Sequence, residues 1–232
     1  MSLVVPAVLP SSRKELEEKL ALFASLPAVS RVQIDVVDGK FATPASWPCS
    51  APAEMRDMVE RAAMLPALER IGYEIDLMCL DAEQAADAWL SLGATRLTFH
   101  AESASDLPRL LAGARDRYGH FISFGLALNI GSDLALLEQS LGEIEYVQFM
   151  GIARIGRQGQ PFDRRVLEKI RVFRHRHPGI SVQVDGGVSL ESARELVALG
   201  VGTLIVGSGI LKSGNPAAAI TAFEALKTSF GV

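Results

Sequence analysis

The sequence predicts an α/β fold, a (β/α)₈ TIM barrel, and two observations support this prediction. Eight short apolar segments rich in β-branched residues alternate with segments in which apolar residues recur at helical spacing. Eight strand–helix units in 232 residues match the size of one closed parallel barrel. A doubly wound open sheet is the competing architecture, but no dinucleotide-type GxGxxG motif follows the first strand. No linker or low-complexity segment interrupts the chain, so we expect one barrel domain over residues 1–232.

The first half of the chain supplies four of these units. The predicted strands lie at residues 3–9, 32–41, 73–78 and 96–100, and the helices after them lie at 12–23, 55–62, 81–93 and 107–118. Ser11 or Ser12 is the expected cap of the first helix, because a serine hydroxyl accepts a hydrogen bond from an N–H of the first turn. Pro6 is a mild objection to the first strand, since proline lacks the N–H that a sheet needs.

The second half repeats the same alternation. The predicted strands lie at residues 121–128, 146–150, 180–184 and 203–206, and the first three helices lie at 134–141, 163–175 and 189–200. Asn215-Pro216 opens a closing helix, with proline in its favoured first helical position. A glycine-rich loop leads from the sixth strand to Pro161.

Composition excludes several classes of protein. The hydrophobic fraction of 49% and charged fraction of 22% are those of a globular protein with a sizeable core. A net charge of −4 without a basic stripe argues against a nucleic-acid partner, and no apolar run reaches membrane-spanning length. Cys49 and Cys79 lack metal-type spacing, which favours reduced thiols and predicts a cytoplasmic protein.

Three aspartates stand late in predicted strands or at their exits, where barrel enzymes place their active sites. Asp35 lies within the apolar run of the second strand, Asp76 lies in the third, and Asp185 ends the seventh. An ionised carboxylate in such a buried position is costly unless a metal, a cation or hydrogen-bond donors compensate it. Three acids at one barrel mouth repel each other, which favours a divalent cation between them or raised proton affinities.

Gln33 adds an amide to this set, because it precedes Asp35 by two residues and therefore points to the same side of the strand. The candidate metal ligands are Gln33, Asp35, Asp76 and Asp185. A donor set made of oxygen atoms suits Mg²⁺ or Mn²⁺ better than Zn²⁺.

Glycines follow the last strands at the places where this fold binds phosphate. Gly186 and Gly187 end the seventh strand, and Gly207 and Ser208 end the eighth. Glycine lets backbone N–H groups approach an anion, and the loops after strands seven and eight are the usual phosphate site of a TIM barrel. After the sixth strand, Gly156 and Gly159 are expected to close the loop over the ligand.

Four further residues have two readings each. His100 ends the fourth strand and is either a proton carrier or a hydrogen-bonded structural histidine. Met78 and Met150, each late in a strand, either fill the core or form an apolar lid on the substrate. Lys40 is either a substrate-binding or Schiff-base lysine or an exposed loop residue, and the exposed position is favoured.

Together these motifs resemble the ribulose-phosphate 3-epimerase family over nearly the whole chain. Gln33 through Phe41 resembles the family's second-strand motif His-x-Asp-x-Met-Asp-Gly-x-Phe, and Asp76-Leu77-Met78 stands where the family has His-Leu-Met. The other matching segments are Phe99-His100-Ala101-Glu102, Ala127-Leu128-Asn129, Met150 through Phe162, Asp185-Gly186-Gly187 and Gly207-Ser208. The resemblance implies a TIM barrel of the ribulose-phosphate-binding type.

The resemblance also implies an activity. Enzymes of this family invert the carbon next to the ketone of a sugar phosphate, here ribulose 5-phosphate, xylulose 5-phosphate or a related compound. By resemblance, Asp35 and Asp185 are the catalytic acid/base pair, acting through an enediolate, and are metal ligands as well. A homo-oligomer, a dimer or larger, is expected from the resemblance alone.

The chain departs from the family in the metal shell. Gln33 and Asp76 replace the family's two histidine ligands, and Ala7 replaces a serine near the end of the first strand. A carboxylate in place of an imidazole favours Mg²⁺ or Mn²⁺ over zinc or iron. Loss of the metal fits the same change, and the acids then need protons or a nearby arginine such as Arg154 or Arg157.

Two other functions remain open at this point. One is a Mg²⁺-dependent sugar-phosphate aldolase or decarboxylase, as in the related hexulose-phosphate synthase group. That group usually carries a lysine in the second-strand motif, and Lys40 is displaced from that position. The other is a phosphosugar-binding protein without catalysis.

Overall fold

Eight parallel strands close into a barrel in the computed structural model, which describes residues 2–230. The strands are β1 (Val4–Val8), β2 (Arg31–Val37), β3 (Gly72–Met78), β4 (Arg96–His100), β5 (Ser123–Leu128), β6 (Tyr146–Met150), β7 (Ser181–Asp185) and β8 (Thr203–Val206). Each strand pairs with the next along the chain, and β8 pairs with β1. The predicted TIM barrel is therefore confirmed.

Helices follow the strands around the outside of the barrel. They are α1 (Arg13–Ala24), α2 (Pro52–Glu60), α3 (Ala82–Ser91), α4 (Leu107–Tyr118), α5 (Ala135–Glu138), α6 (Arg165–Arg176), α7 (Leu190–Ala198), α8 (Ser208–Leu211) and α9 (Pro216–Phe230). Two 3₁₀ turns, Gly119–Phe121 and Leu141–Glu143, flank β5 and α5. The described part of the chain holds no helix long and apolar enough to cross a bilayer.

Local sequence explains where these elements begin and end. Ser12 accepts a hydrogen bond from the Glu15 N–H at 3.2 Å, so the predicted cap of α1 is confirmed at the second of its two serines. The predicted extension of α2 to Ala62 is wrong, because Ala62 has a positive φ of 48°. The fifth strand begins at Ser123 rather than at Phe121, which lies in a 3₁₀ turn with 95% of its side chain exposed.

The apolar core lies between the barrel and its helices. In β2, Val32, Ile34 and Val36 point outward into this layer, while the alternate residues Gln33 and Asp35 point into the barrel. The buried polar residues of the other strands include Glu74, Asp76, Thr98, Gln148 and Gln183. The barrel interior is therefore polar and hydrogen-bonded, in contrast to the apolar layer around it.

Candidate active site

Strand register brings the three predicted acids together at the carboxyl end of the barrel. Asp35 and Asp76 are Cα partners in the β2–β3 pair, and Asp185 is the last residue of β7. The two strands β8 and β1 separate β7 from β2, so Asp185 approaches the pair across the barrel interior. One carboxylate oxygen of each acid lies within 4.8 Å of the others.

Gln33 bridges two of these acids. Its Nε2 donates to Asp35 Oδ1 at 2.8 Å and to Asp185 Oδ2 at 3.0 Å. Its Oε1 is buried and has no hydrogen-bond partner among the described residues. A buried acceptor without a partner is unusual in a folded protein and indicates a site for a missing donor or cation.

Burial and mutual repulsion change the proton affinity of these acids. Burial, followed by the charges of Asp185 and Asp76, raises the pKa of Asp35 well above its ordinary value. Burial and the charge of Asp76 raise the pKa of Asp185 to about 7, against the opposing effect of the Gln33 hydrogen bond. Arg157 does not offset this charge, because its Nε donates to the Thr43 carbonyl oxygen at 3.1 Å.

Asp76 is held by two side chains from other strands. His100 Nε2 lies 3.0 Å from Asp76 Oδ1, and Gln148 Nε2 donates to Asp76 Oδ2 at 3.1 Å. His100 is fully buried behind Asp76, with its ring 5.3 Å from that of Phe41. The structure therefore places His100 outside the pocket lining, in the position of a hydrogen-bonded structural histidine.

The two partners of Asp76 differ in charge. Burial lowers the pKa of His100, but attraction to Asp76 and the hydrogen bond between them outweigh it, so the pKa of His100 is raised overall. His100 Nδ1 has no hydrogen-bond partner within residues 2–230. Gln148 is neutral and links Asp76 to the deeper interior, because its Oε1 accepts from Gln183 Nε2 at 2.7 Å.

A pocket of about 530 Å³ opens above the acids at this end of the barrel. Asp35 and Asp185 line it, together with Met78 and Met150. All six residues predicted to bind phosphate line the same pocket: Gly156, Gly159, Gly186, Gly187, Gly207 and Ser208. The pocket therefore joins the acids to the glycine-rich loops, as the predicted site requires.

Close backbone packing explains the glycines of this rim. Gly187 has a φ of +68°, and a Cβ there would lie 2.6 Å from the Phe162 Cα atom. A Cβ on Gly207 would lie 2.7 Å from Nε2 of Gln158. Larger residues at Gly187 or Gly207 would therefore displace the loop that follows β6.

The loop after β6 also contributes residues that the sequence reading missed. Ile152, Arg157 and Gln158 line the pocket. Ile155 packs against a small apolar cluster that includes Val37 and Met78 at the barrel mouth. The only sequence signal for these residues was their position in a loop expected to close over the ligand.

The donor set fits a hard divalent cation. Three carboxylates offer oxygen atoms within 4.8 Å of one another, and the orphaned Oε1 of Gln33 supplies a fourth oxygen when the amide turns by half a rotation. Mg²⁺ and Mn²⁺ prefer such oxygen ligands, whereas zinc sites draw mainly on histidine and cysteine.

Comparison with known proteins points to one family. Residues 3–211 match the model of the ribulose-phosphate 3 epimerase family. A ribulose-phosphate 3-epimerase of Mycobacterium leprae (strain TN) is 26% identical over 226 residues, which cover 96% of this chain and 93% of the relative. A ribulose-phosphate 3-epimerase of Aquifex aeolicus (strain VF5) is 26% identical over 180 residues, with 76% of this chain and 75% of the relative covered.

Solved structures share the barrel. KGPDC from Streptococcus mutans, in complex with ribose 5-phosphate, superimposes with a TM-score of 0.69 at 17% identity, covering 99% of this chain and 98% of that chain. The 3-hexulose-6-phosphate synthase from Salmonella typhimurium has a TM-score of 0.69 at 13% identity, covering 99% and 100%. At these identities the likeness shows the fold alone.

Proposed function

The chain belongs to the ribulose-phosphate 3-epimerase family, and from that premise we propose that it epimerises a ketose phosphate. The substrate is ribulose 5-phosphate, xylulose 5-phosphate or a related sugar phosphate. One observation supports this above the others: two coupled carboxyl groups, Asp35 and Asp185, line the pocket whose rim is the glycine cradle.

The proposed reaction needs one acid and one base on opposite faces of the substrate. Asp35 and Asp185 reach the pocket from strands on different sides of the barrel. Both pKa values are raised, so around neutral pH the pair holds a proton that either carboxyl group can carry. The ionised member removes the proton next to the ketone, and the protonated member returns one to the other face.

The rest of the pocket binds the substrate and excludes water. Backbone N–H groups around Gly186, Gly187, Gly207 and Ser208 are proposed to hold the phosphate. Met78 and Met150 shield the reacting carbon from water, which preserves the proton held by the acid pair. A divalent cation held by Gln33, Asp35, Asp76 and Asp185 would stabilise the negative charge that develops on the substrate oxygens.

The position of Lys40 separates this proposal from the aldolase or decarboxylase alternative. Lys40 is exposed and lies 3.7 Å from Asp81 in an ion pair. Among the described residues that line the pocket, Arg157 is the one cation. The pocket therefore offers carboxyl groups, and not a lysine, for proton transfer.

The direct test is incubation with ribulose 5-phosphate in deuterated water, with Mg²⁺, with Mn²⁺ and with a chelator. We expect xylulose 5-phosphate that carries deuterium at the inverted carbon. Asp81→Asn is a matched control, because it removes an exposed carboxylate outside the pocket and should leave turnover unchanged. Neither exchange nor product with any metal would refute the proposed epimerase, and exchange without inversion would favour the aldolase type.

A further inference from the structure

The chain's only two cysteines meet in space, although 30 positions separate Cys49 from Cys79 in the sequence. Both line one surface groove between α2 and α3. Their thiols are in hydrogen-bonding contact, and Cys79 Sγ lies 3.6 Å from the Val36 carbonyl oxygen. Two thiols in contact need little backbone movement to form a disulfide.

Both cysteines are anchored on the end of β2. Cys79 immediately follows β3, where the Asp38 N–H donates to the Met78 carbonyl oxygen at 3.3 Å. Cys49 lies in the loop after β2, which is tied back by the Ser46 N–H on the Val37 carbonyl oxygen at 3.0 Å. These main-chain bonds keep the two sulfur atoms side by side in the folded protein.

The two thiols have unequal environments. Cys49 is partly exposed in the groove, whereas Cys79 is buried with 2% of its surface exposed. The hydrogen bond from Cys79 lowers the pKa of Cys49 despite partial burial, and the same contact together with burial raises the pKa of Cys79. An accessible cysteine of low pKa beside a second cysteine is the arrangement of redox-sensitive thiol pairs.

We infer that Cys49 and Cys79 form a site of reversible thiol–disulfide exchange with small disulfide molecules. Cys49 is the attacking thiol, and it forms a mixed disulfide as one thiolate of the small disulfide leaves. Cys79 then attacks the Cys49 sulfur and forms the intramolecular disulfide, while its proton passes to the second departing thiolate. In sum, two protein thiols and one small disulfide give one protein disulfide and two small thiols.

Glutathione disulfide is the probe for the test. The folded protein is treated with it, alkylated, and digested with trypsin without reduction. The cysteines fall in separate tryptic peptides, residues 41–56 and 71–96, so the intramolecular bond yields one cross-linked pair. We expect this pair as the main product from the folded protein, and dithiothreitol should release it.

Single variants separate the roles of the two cysteines. Cys79→Ala should stop at a stable mixed disulfide on peptide 41–56, and Cys49→Ala should leave peptide 71–96 unmodified because Cys79 is buried. Wild-type protein that stops at the mixed disulfide would overturn the inference. Modification of Cys79 in Cys49→Ala as fast as that of Cys49 in Cys79→Ala would overturn the assigned order. The wild-type experiment remains decisive if either variant fails to fold.

Discussion

The two ends of the barrel interior treat buried acids in opposite ways. At the base, Glu74 is fully buried and pairs with Arg96 Nε at 2.9 Å and with a nitrogen of Arg31 at 3.7 Å. Burial alone would raise the pKa of Glu74, but the two arginines outweigh it and lower that pKa. At the mouth, Asp35 and Asp185 have no arginine, and their pKa values are raised. A buried acid with cations contributes to structure, whereas uncompensated acids indicate a site for a ligand or for proton transfer.

Amide side chains connect the two ends. Gln183 Nε2 donates both to Glu74 Oε1 and to Gln148 Oε1, and Gln148 Nε2 donates to Asp76 Oδ2. Because Glu74 only accepts, the Gln183 amide must point its nitrogen toward it. That orientation in turn directs the Gln148 nitrogen at Asp76. The ion cluster at the base therefore orients a donor at the mouth.

The largest expected effect is on turnover, from removal of one mouth acid. Asp185→Asn keeps the side-chain shape but can no longer carry the proton, so turnover should fall about 10²–10⁴-fold. Binding of inorganic phosphate should change little, because the cradle uses main-chain donors. Both are measured on the same preparation, by product formation and by isothermal titration. Equal loss of turnover and phosphate binding would contradict this separation of roles.

The second prediction compares the stability of the two ends. Glu74→Gln leaves Arg31 and Arg96 without their anion and should lower the free energy of unfolding by about 3–5 kcal/mol. The matched variant at the mouth is Asp76→Asn, which removes one of three mutually repelling charges and should not lower the free energy of unfolding. Urea denaturation in the presence of a chelator measures both. A larger loss in Asp76→Asn than in Glu74→Gln would reverse the comparison.

Sequence alone predicted the barrel well because its strands are short apolar runs with clear ends. The predicted bounds agree with the structure for β4, β6 and β8. The prediction was weaker around α5 and missed α8, since helices of four residues are too short to show a helical period. Tertiary contacts, not local pattern, decide such elements.

The candidate site was predictable as far as strand ends determine it. Asp35, Asp76 and Asp185 follow from that rule, and the structure brings them together. The polar column below them was missed, although Gln148 and Gln183 alternate with apolar residues in their strands as Gln33 does in β2. That alternation was a usable signal for the column. The contact between His100 and Asp76 had none, because it depends on how side chains pack across the barrel.

The third prediction concerns pH and distinguishes the ends by sign. The raised pKa values at the mouth mean that the folded state binds more protons than the unfolded state between about pH 4 and pH 7. The free energy of unfolding of the metal-free protein should therefore fall by roughly a few kcal/mol as pH rises through this window. Glu74 acts in the opposite direction, because its lowered pKa adds stability that is lost as pH falls below about 4.

Asp185→Asn is the control for this pH dependence. Without the Asp185 carboxyl group, the decline between about pH 4 and pH 7 should flatten, while the loss on the acid side remains. Urea denaturation across this range, with a chelator present, measures the difference. A wild-type protein whose stability rises with pH through the window would refute the raised pKa values.

The smallest expected effect tests whether the base orients the mouth through Gln148. Gln148→Met keeps the length of the side chain but removes the donor to Asp76 Oδ2, so Mn²⁺ affinity should fall about tenfold or more, as for other residues that orient a metal ligand. Thr98→Val is the matched control, because Thr98 lies in the same interior but bonds Glu74 and Tyr146. This control should lower the free energy of unfolding and leave Mn²⁺ binding unchanged. Mn²⁺ titration followed by electron paramagnetic resonance measures affinity without reference to turnover. Unchanged Mn²⁺ affinity in Gln148→Met would show that Asp76 is positioned by His100 and its own strand alone.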